Sequence, residues 1–143
     1  MPAIAENKRA YFDYIIAKTY EAGLELFGFE VKAIKTGRVN LAGSYVIVKN
    51  GEALLINADI PPYQPKNTPA DYDPQRSRRL LLRREEIKEL LGARTGQGLT
   101  VVPLKLYSKG GKIKLEIGLA RRKKKTDKRE TIKKRDVARE LSR

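Results

Sequence analysis

The sequence contains no cysteine, no histidine and no tryptophan, and a single methionine. Without cysteine there is no disulfide, no thiolate nucleophile and no zinc site of Cys/His type, and without histidine there is no imidazole base. Catalysis would have to rest on carboxylates with a divalent metal, or on lysine and tyrosine. No run of eighteen apolar residues occurs and no signal-peptide core follows Met1, so we expect no membrane span, no secretion and a cytoplasmic location. Acidic residues are scarce as well: 17 Asp and Glu stand against 31 Lys and Arg in 143 residues, a net charge of +14. A surplus of that size calls for a polyanionic partner, nucleic acid first and an anionic membrane second.

The surplus is unevenly placed. From Arg121 to Arg143 there are twelve Lys or Arg and four Asp or Glu, so eight of the fourteen net charges lie in this segment. Repulsion among Arg121, Arg122, Lys123, Lys124 and Lys125 opposes compact packing, and only Ile132, Val137, Ala138 and Leu141 offer apolar surface beyond them. Asp127 followed by Glu130 has the spacing of a capping box that would start a helix at Lys128. A helix of about fourteen residues is marginal alone because nucleation is costly. Residues 121–143 are therefore expected to be disordered when free and helical against a partner that docks Ile132 and Leu141.

Residues 1–120 read as one mainly β domain with short helices. A polar arm carrying Asn7, Lys8 and Arg9 leads into an aromatic and β-branched stretch, Tyr11 to Tyr20, expected to be a strand that Gly23 ends. Tyr11 and Tyr20 could also serve as base-stacking platforms. Phe27, Val31 and Ile34 fall at i, i+4 and i+7 before Gly37 and predict a short helix from about Phe29 to Thr36, with Lys32 and Lys35 outward. Asn50-Gly51 between two β-rich runs predicts a hairpin with a type I′ turn. Five of the seven prolines lie between Ile60 and Gln75 and predict a long surface loop. Leu80 to Leu82 read as an extended lead-in to a helix that Gly92 caps, and 99–107 and 112–119 read as a second hairpin. Several short strands, two hairpins and no parallel βαβ pattern suggest a small antiparallel barrel, for which the oligonucleotide-binding (OB) fold suits the charge.

The strings NKRAYFDY, TYEAG, FEVKAIKTGRVNL, NGEALLINADIPPY, DPQRSRRLLLRREEI, GLTVVPLKLY, KIKLEIGLA and KKKTDKRETIKKRD occur in that order. Together they resemble the SsrA-binding protein (SmpB) family from about Asn7 into the tail. The resemblance implies an OB barrel that binds the tRNA-like domain of transfer-messenger RNA near its elbow. It also implies delivery to stalled ribosomes with elongation factor Tu and GTP, no enzymatic activity and no cofactor. The basic tail would become helical in the empty mRNA channel of the small subunit, beyond the decoding centre.

Carried onto this chain by motif, the resemblance puts Asn7, Glu21 and Leu81 on the RNA-binding side, and Asp127, Lys128 and Arg129 in the motif used on the ribosome. Lys8, Arg9, Lys32, Arg76, Arg78 and Arg79 join the RNA-binding set as cations able to meet phosphate. Lys123, Lys124, Lys125, Ile132, Lys133, Lys134 and Arg135 join the ribosome-binding set. Leu81 could equally be a core leucine, and Glu21, which repels phosphate, could instead hold a basic side chain in place. Tyr11 and Phe12 stand where the family commonly has Arg and His, Arg122 replaces a common glycine, and Thr126 replaces a common histidine. Two other readings remain. One is a ribosome-associated or assembly protein that binds ribosomal RNA alone. The other is a metal-dependent nuclease using Asp59, Asp71, Asp73 or Glu85, although these show no metal-ligand spacing and no Walker-type phosphate loop is present.

Overall fold

The computed structural model describes residues 3–129 and 132. Seven strands form one antiparallel sheet: β1 (Ala5–Glu6), β2 (Tyr14–Leu24), β3 (Tyr45–Lys49), β4 (Glu52–Ile56), β5 (Arg78–Leu81), β6 (Thr100–Lys109) and β7 (Lys112–Arg122). Their order is β1-β6-β7-β2-β5-β4-β3, and the sheet curls until β3 packs near β6, a mainly β barrel of the oligonucleotide-binding type. Among the described residues, the helices α1 (Lys8–Asp13), α2 (Gly28–Lys35) and α3 (Arg84–Gly96) decorate it, and residues 125–129 are helical as well.

The barrel is filled by alternate residues of long strands, Ile113, Leu115, Ile117 and Leu119 of β7 with Tyr20 and Ala22 of β2 and Val101 and Leu106 of β6. A second, smaller cluster lies on the outer face, where Ala10 of α1 covers Val102, Leu104 and Ala120 with Tyr14 and Ile16. Even-numbered residues thus change sides within one strand. The cause is a pair of bulges: the pairing of β6 with β7 skips Leu104, and that of β2 with β7 skips Ala17. One extra residue reverses which side chains face inward, so a strand can serve two cores in succession. Gly118 lies between the bulged strands on the outer face, where an added Cβ would sit 3.0 Å from Ile16 Cγ2 and 3.1 Å from Leu104 Cδ1.

Both hairpins form as expected. Asn50 and Gly51 take φ of 53° and 76°, the doubly positive pair of a type I′ turn, between the paired residues Lys49 and Glu52. Gly110 and Gly111 turn β6 into β7. The expected helix near 29–36 is α2, ended by Gly37 at φ 83°.

Three expectations fail. Residues 8–13 are helix and the strand begins at Tyr14, because Ala10 and Asp13 bury one face of a short turn against the outer cluster. Gly23 does not end β2 but pairs with Leu81 and with Lys114. Gly92 sits inside α3, which runs on to Gly96; the buried contacts of Leu90 and Ala93 outweigh the cost of about 1 kcal/mol for a helical glycine. The arm before α1 is also tied down: Ala5 pairs with Leu106, and Ile4 N donates to Leu106 O.

Candidate nucleic-acid interface

The strand β5 decides which of the candidate cations can meet a ligand. Its alternation sends Arg78 and Leu80 inward and Arg79 and Leu81 outward. Arg78 is fully buried, and its guanidinium donates to Glu30 Oε2 (2.7 and 3.0 Å), to the carbonyls of Ala58 (2.6 Å) and Pro74 (2.9 Å), and to the Tyr72 hydroxyl (3.0 Å). Arg76 reaches the same carboxylate at 2.5 Å and stacks on Phe27 at 4.2 Å from the ring centroid. Glu30 itself is fully buried at the first turn of α2, where Oε1 also accepts the Phe27 N–H. Burial alone would raise its pKa; the Arg76 and Arg78 guanidiniums and the Phe27 N–H overcome that and hold it below the usual carboxylate range. The reading of Arg78 as an RNA contact is therefore corrected: the side chain has no exposure, and each of its guanidinium nitrogens donates to a partner inside the protein. Arg76 is largely committed too. Sequence reasoning missed Glu30, yet the alternation with Leu80 already placed Arg78 on the core face, where a buried anion had to answer it.

Arg79 is half-exposed and lies near Glu25 (3.4 Å) and Glu52 (3.8 Å), and Lys32 is exposed on α2. Leu81 is 47% exposed, so the alternative of a core leucine does not hold. It projects beside Gly23, where an added Cβ would stand 3.2 Å from Leu81 Cβ. Around it lies an open cleft of about 300 Å³, walled by Leu24, Leu26, Val31 and Ile113 and edged by Lys112 and Lys114. An apolar floor with cations on its rim can hold the face of a nucleobase or sugar while the lysines meet phosphate.

Glu21 projects from β2 on the outer face. Its Oε2 accepts the Tyr107 hydroxyl at 2.6 Å, and Lys109 Nζ lies 3.3 Å away. The Tyr107 hydrogen bond, then Lys109, lowers the Glu21 pKa; burial first, and Glu21 second, raise that of Tyr107. Of the two uses open to Glu21, the geometry supplies the intramolecular one: it holds Tyr107 and Lys109 in place. Tyr20 is buried with its hydroxyl on Glu89 (2.6 Å), which removes it as a stacking platform, whereas Tyr11 is exposed.

The N-terminal arm divides. Asn7 is buried and its amide donates to Pro103 O at 2.9 Å, so this side chain ties the start of α1 to β6. Lys8 and Arg9 are exposed, and Arg9 Nε donates to Asp13 Oδ2 at 2.9 Å.

Beyond β7 the chain turns back onto α1. Lys123 N donates to Asp13 O (2.7 Å), residues 125–129 are helical, and Lys128 Nζ lies 3.3 Å from Asp13 Oδ1. The helix thus starts three residues earlier than its sequence signal suggested. Lys124 caps it, and Asp127 is the third helical residue, whose carboxylate accepts the Lys124 N–H at 3.1 Å and is held below its ordinary pKa by that bond first. Lys124, Lys125 and Arg129 are exposed, as is Ile132, at 42%. Glu130, Lys133, Lys134, Arg135 and the expected helix through Leu141 lie outside the described residues. Among the described residues, no three acidic side chains converge to hold a metal, and no helix is long and apolar enough to cross a membrane.

Residues 4–143 match the family model described as SmpB protein. The chain is 52% identical over 140 residues to the SsrA-binding protein of Geobacillus kaustophilus and 50% identical to that of Gloeothece citriformis, covering 98% of this chain and 90% of each relative. A solved chain from the work described as "tmRNA-SmpB: a journey to the center of the bacterial ribosome" superposes with a TM-score of 0.69 at 46% identity, covering 87% of both chains. This chain belongs to the SmpB family of SsrA-binding proteins.

Proposed function

We propose that this protein binds the tRNA-like domain of transfer-messenger RNA through its barrel and delivers it to stalled ribosomes. The observation that carries the reading is Leu81. A large leucine held half in solvent, on a strand whose other face is locked by a buried ion cluster, has no packing purpose; it fits a ligand. Lys112 and Lys114 beside it supply the cations that an RNA backbone requires. Lys8, Arg9, Lys32 and Arg79 add exposed charge, and Glu21 contributes by aiming Lys109. Asp127 to Arg129 and the residues after them act on the small subunit, in the decoding centre and mRNA channel. Elongation factor Tu with GTP joins through the RNA, and the work is cytoplasmic, without a cofactor and without catalysis by the protein itself.

The test is a titration of the full-length chain with the tRNA-like domain at fixed salt, an unrelated hairpin serving as competitor. Preference for the tRNA-like RNA, reduced in Leu81→Ala, is expected. Equal affinity for the two would sink the reading in favour of a protein that binds ribosomal RNA alone.

A further inference from the structure

The N-terminal arm and the root of the tail were expected to serve different partners, yet the fold brings one cation from each to the same carboxylate. Asp13, at the end of α1, has an 11% exposed side chain. Arg9 Nε meets Oδ2 at 2.9 Å, and Lys128 Nζ approaches Oδ1 at 3.3 Å. The second contact is an ion pair without directional hydrogen-bond geometry, for Oδ1 is otherwise unpartnered. The same two cations flank one aromatic ring, with Arg9 5.5 Å and Lys128 5.7 Å from the Phe12 centroid. Two independent contacts thus fix the same convergence. Two cations against one carboxylate leave a net positive charge at a single point. Arg9 is 75% exposed and Lys128 28% exposed, so both remain open to solvent on the side away from Asp13.

We propose that Arg9 and Lys128 together form one binding site for an RNA phosphate, with Asp13 as the positioning residue that joins the arm to the tail; this rests on the RNA-binding reading above. A carboxylate that is nearly buried presents little negative charge to an incoming phosphate, while it opposes the mutual repulsion that would otherwise drive the two cations apart. Burial alone would raise the Asp13 pKa, but Arg9 and then Lys128 hold it below the usual carboxylate range, so the bridge stays ionised at neutral pH. The backbone pairing of Lys123 N with Asp13 O supports the same docking from the other side. The tail root is then part of the RNA-holding surface.

The test uses the full chain with Arg9→Gln, Lys128→Gln, the double variant, and all three again with Asp13→Asn. Each is titrated against the tRNA-like domain and, separately, against isolated small ribosomal subunits, over a range of salt concentrations. Log affinity falls with log salt in proportion to the phosphates neutralised. If both cations share one phosphate, each single replacement weakens binding but leaves most of that slope, because the remaining cation still neutralises the phosphate, and the double lowers it by about one rather than two. With Asp13→Asn the two replacements become independent, an outcome that a purely structural role for Asp13 would not produce. The effect in the first titration identifies the phosphate as one of transfer-messenger RNA; the effect only in the second identifies ribosomal RNA. An unchanged affinity for Lys128→Gln with both RNAs, or a double variant whose slope falls by about two, overturns the proposal. These readouts are differences between variants on one RNA, so they stand whether or not the wild-type chain prefers the tRNA-like RNA to a hairpin.

Discussion

Replacing Glu30 by glutamine should be the most damaging conservative change among the described residues. The substitution keeps the shape of the side chain and removes the charge that answers Arg78, which has no exposure at all. Glutamine can still accept through its carbonyl oxygen, but its amide faces a guanidinium with two donors, and Arg76 competes for the same oxygen. Breaking a buried pair by removing one partner costs about 3–5 kcal/mol, because the remaining charge is stranded. Against a total stability of about 5–15 kcal/mol this is a large fraction. At about 3 °C per kcal/mol for a chain of this size, the melting temperature should fall by about 9–15 °C. Urea denaturation followed by circular dichroism gives the midpoint and the slope m; the midpoint should drop with m unchanged. Glu30→Gln combined with Arg78→Met should lose less than the sum of the single changes, since the stranded cation goes with its partner. A loss below about 1 kcal/mol in Glu30→Gln would refute the reasoning, because it would mean that solvent reaches Arg78.

The same residue sets a pH dependence whose sign is fixed. The folded-state pKa of Glu30 is lowered, so its stabilising contribution is complete above the unfolded value, about 4.3, and is lost as pH falls through the folded value. Wild-type stability should therefore drop steeply in acid below that point, and Glu30→Gln should show a shallower acid limb.

Other expectations follow from single contacts. Gly118→Ala places a methyl 3.0 Å from Ile16 and 3.1 Å from Leu104 in the outer cluster, and overpacking of this kind should cost about 1–3 kcal/mol in denaturant melts, with no direct effect on the Leu81 cleft. Leu81→Ala removes an exposed side chain, so thermal melting should stay within about 0.5 kcal/mol of wild type while binding of the tRNA-like RNA weakens; equal affinity would exclude the cleft as the contact. The Tyr72 hydroxyl, half-buried and bonded to the Glu30 carboxylate, is pushed up to about 12, so ultraviolet titration should show a late-ionising tyrosine that Tyr72→Phe removes. Its proton is retained by the folded chain and lost from the unfolded one above pH 10, so stability should decline between about pH 10 and 12 and Tyr72→Phe should soften that decline.

The parts of the fold legible in the sequence are those written in local chemistry. Asn50-Gly51 specifies a turn by itself, and the strict alternation from Ile113 to Leu119 specifies both a strand and its inner face. Arg78 was readable in principle by the same alternation but was grouped with Arg76 and Arg79 by charge, and charge says nothing about the face a side chain takes. The bulges at Ala17 and Leu104 carried no local signal. They exist because two packed faces must be served by one strand, a demand set by α1 lying across the outer sheet. Asn7 and Asp13 were illegible for a related reason: their partners, Pro103 O, Lys123 N and Lys128, lie about a hundred residues away.

The placement of the two candidate contact regions constrains the ligand. Lys114 of β7 borders the Leu81 cleft, and Arg122 at the other end of the same strand leads into the tail root at Asp13. Eight residues of strand at about 3.3 Å each separate them, so the cleft and the arm–tail junction stand about 26 Å apart. No single nucleotide reaches both. An RNA that satisfies Leu81 with Lys112 and Lys114 at one end, and Arg9 with Lys128 at the other, must span that distance. An elbow-shaped tRNA-like fold does this with separate stretches of backbone, whereas a strand shorter than the span does not. Combining Leu81→Ala with Lys128→Gln should therefore give additive losses in binding free energy for the tRNA-like domain, because the sites are distant and share no partner. For a short single-stranded RNA, which occupies one site at a time, each single variant still binds at its intact site, so the double variant should lose more than the sum of the two single losses. Additive losses on both RNAs would mean that one extended strand spans the barrel, and the elbow argument would fall.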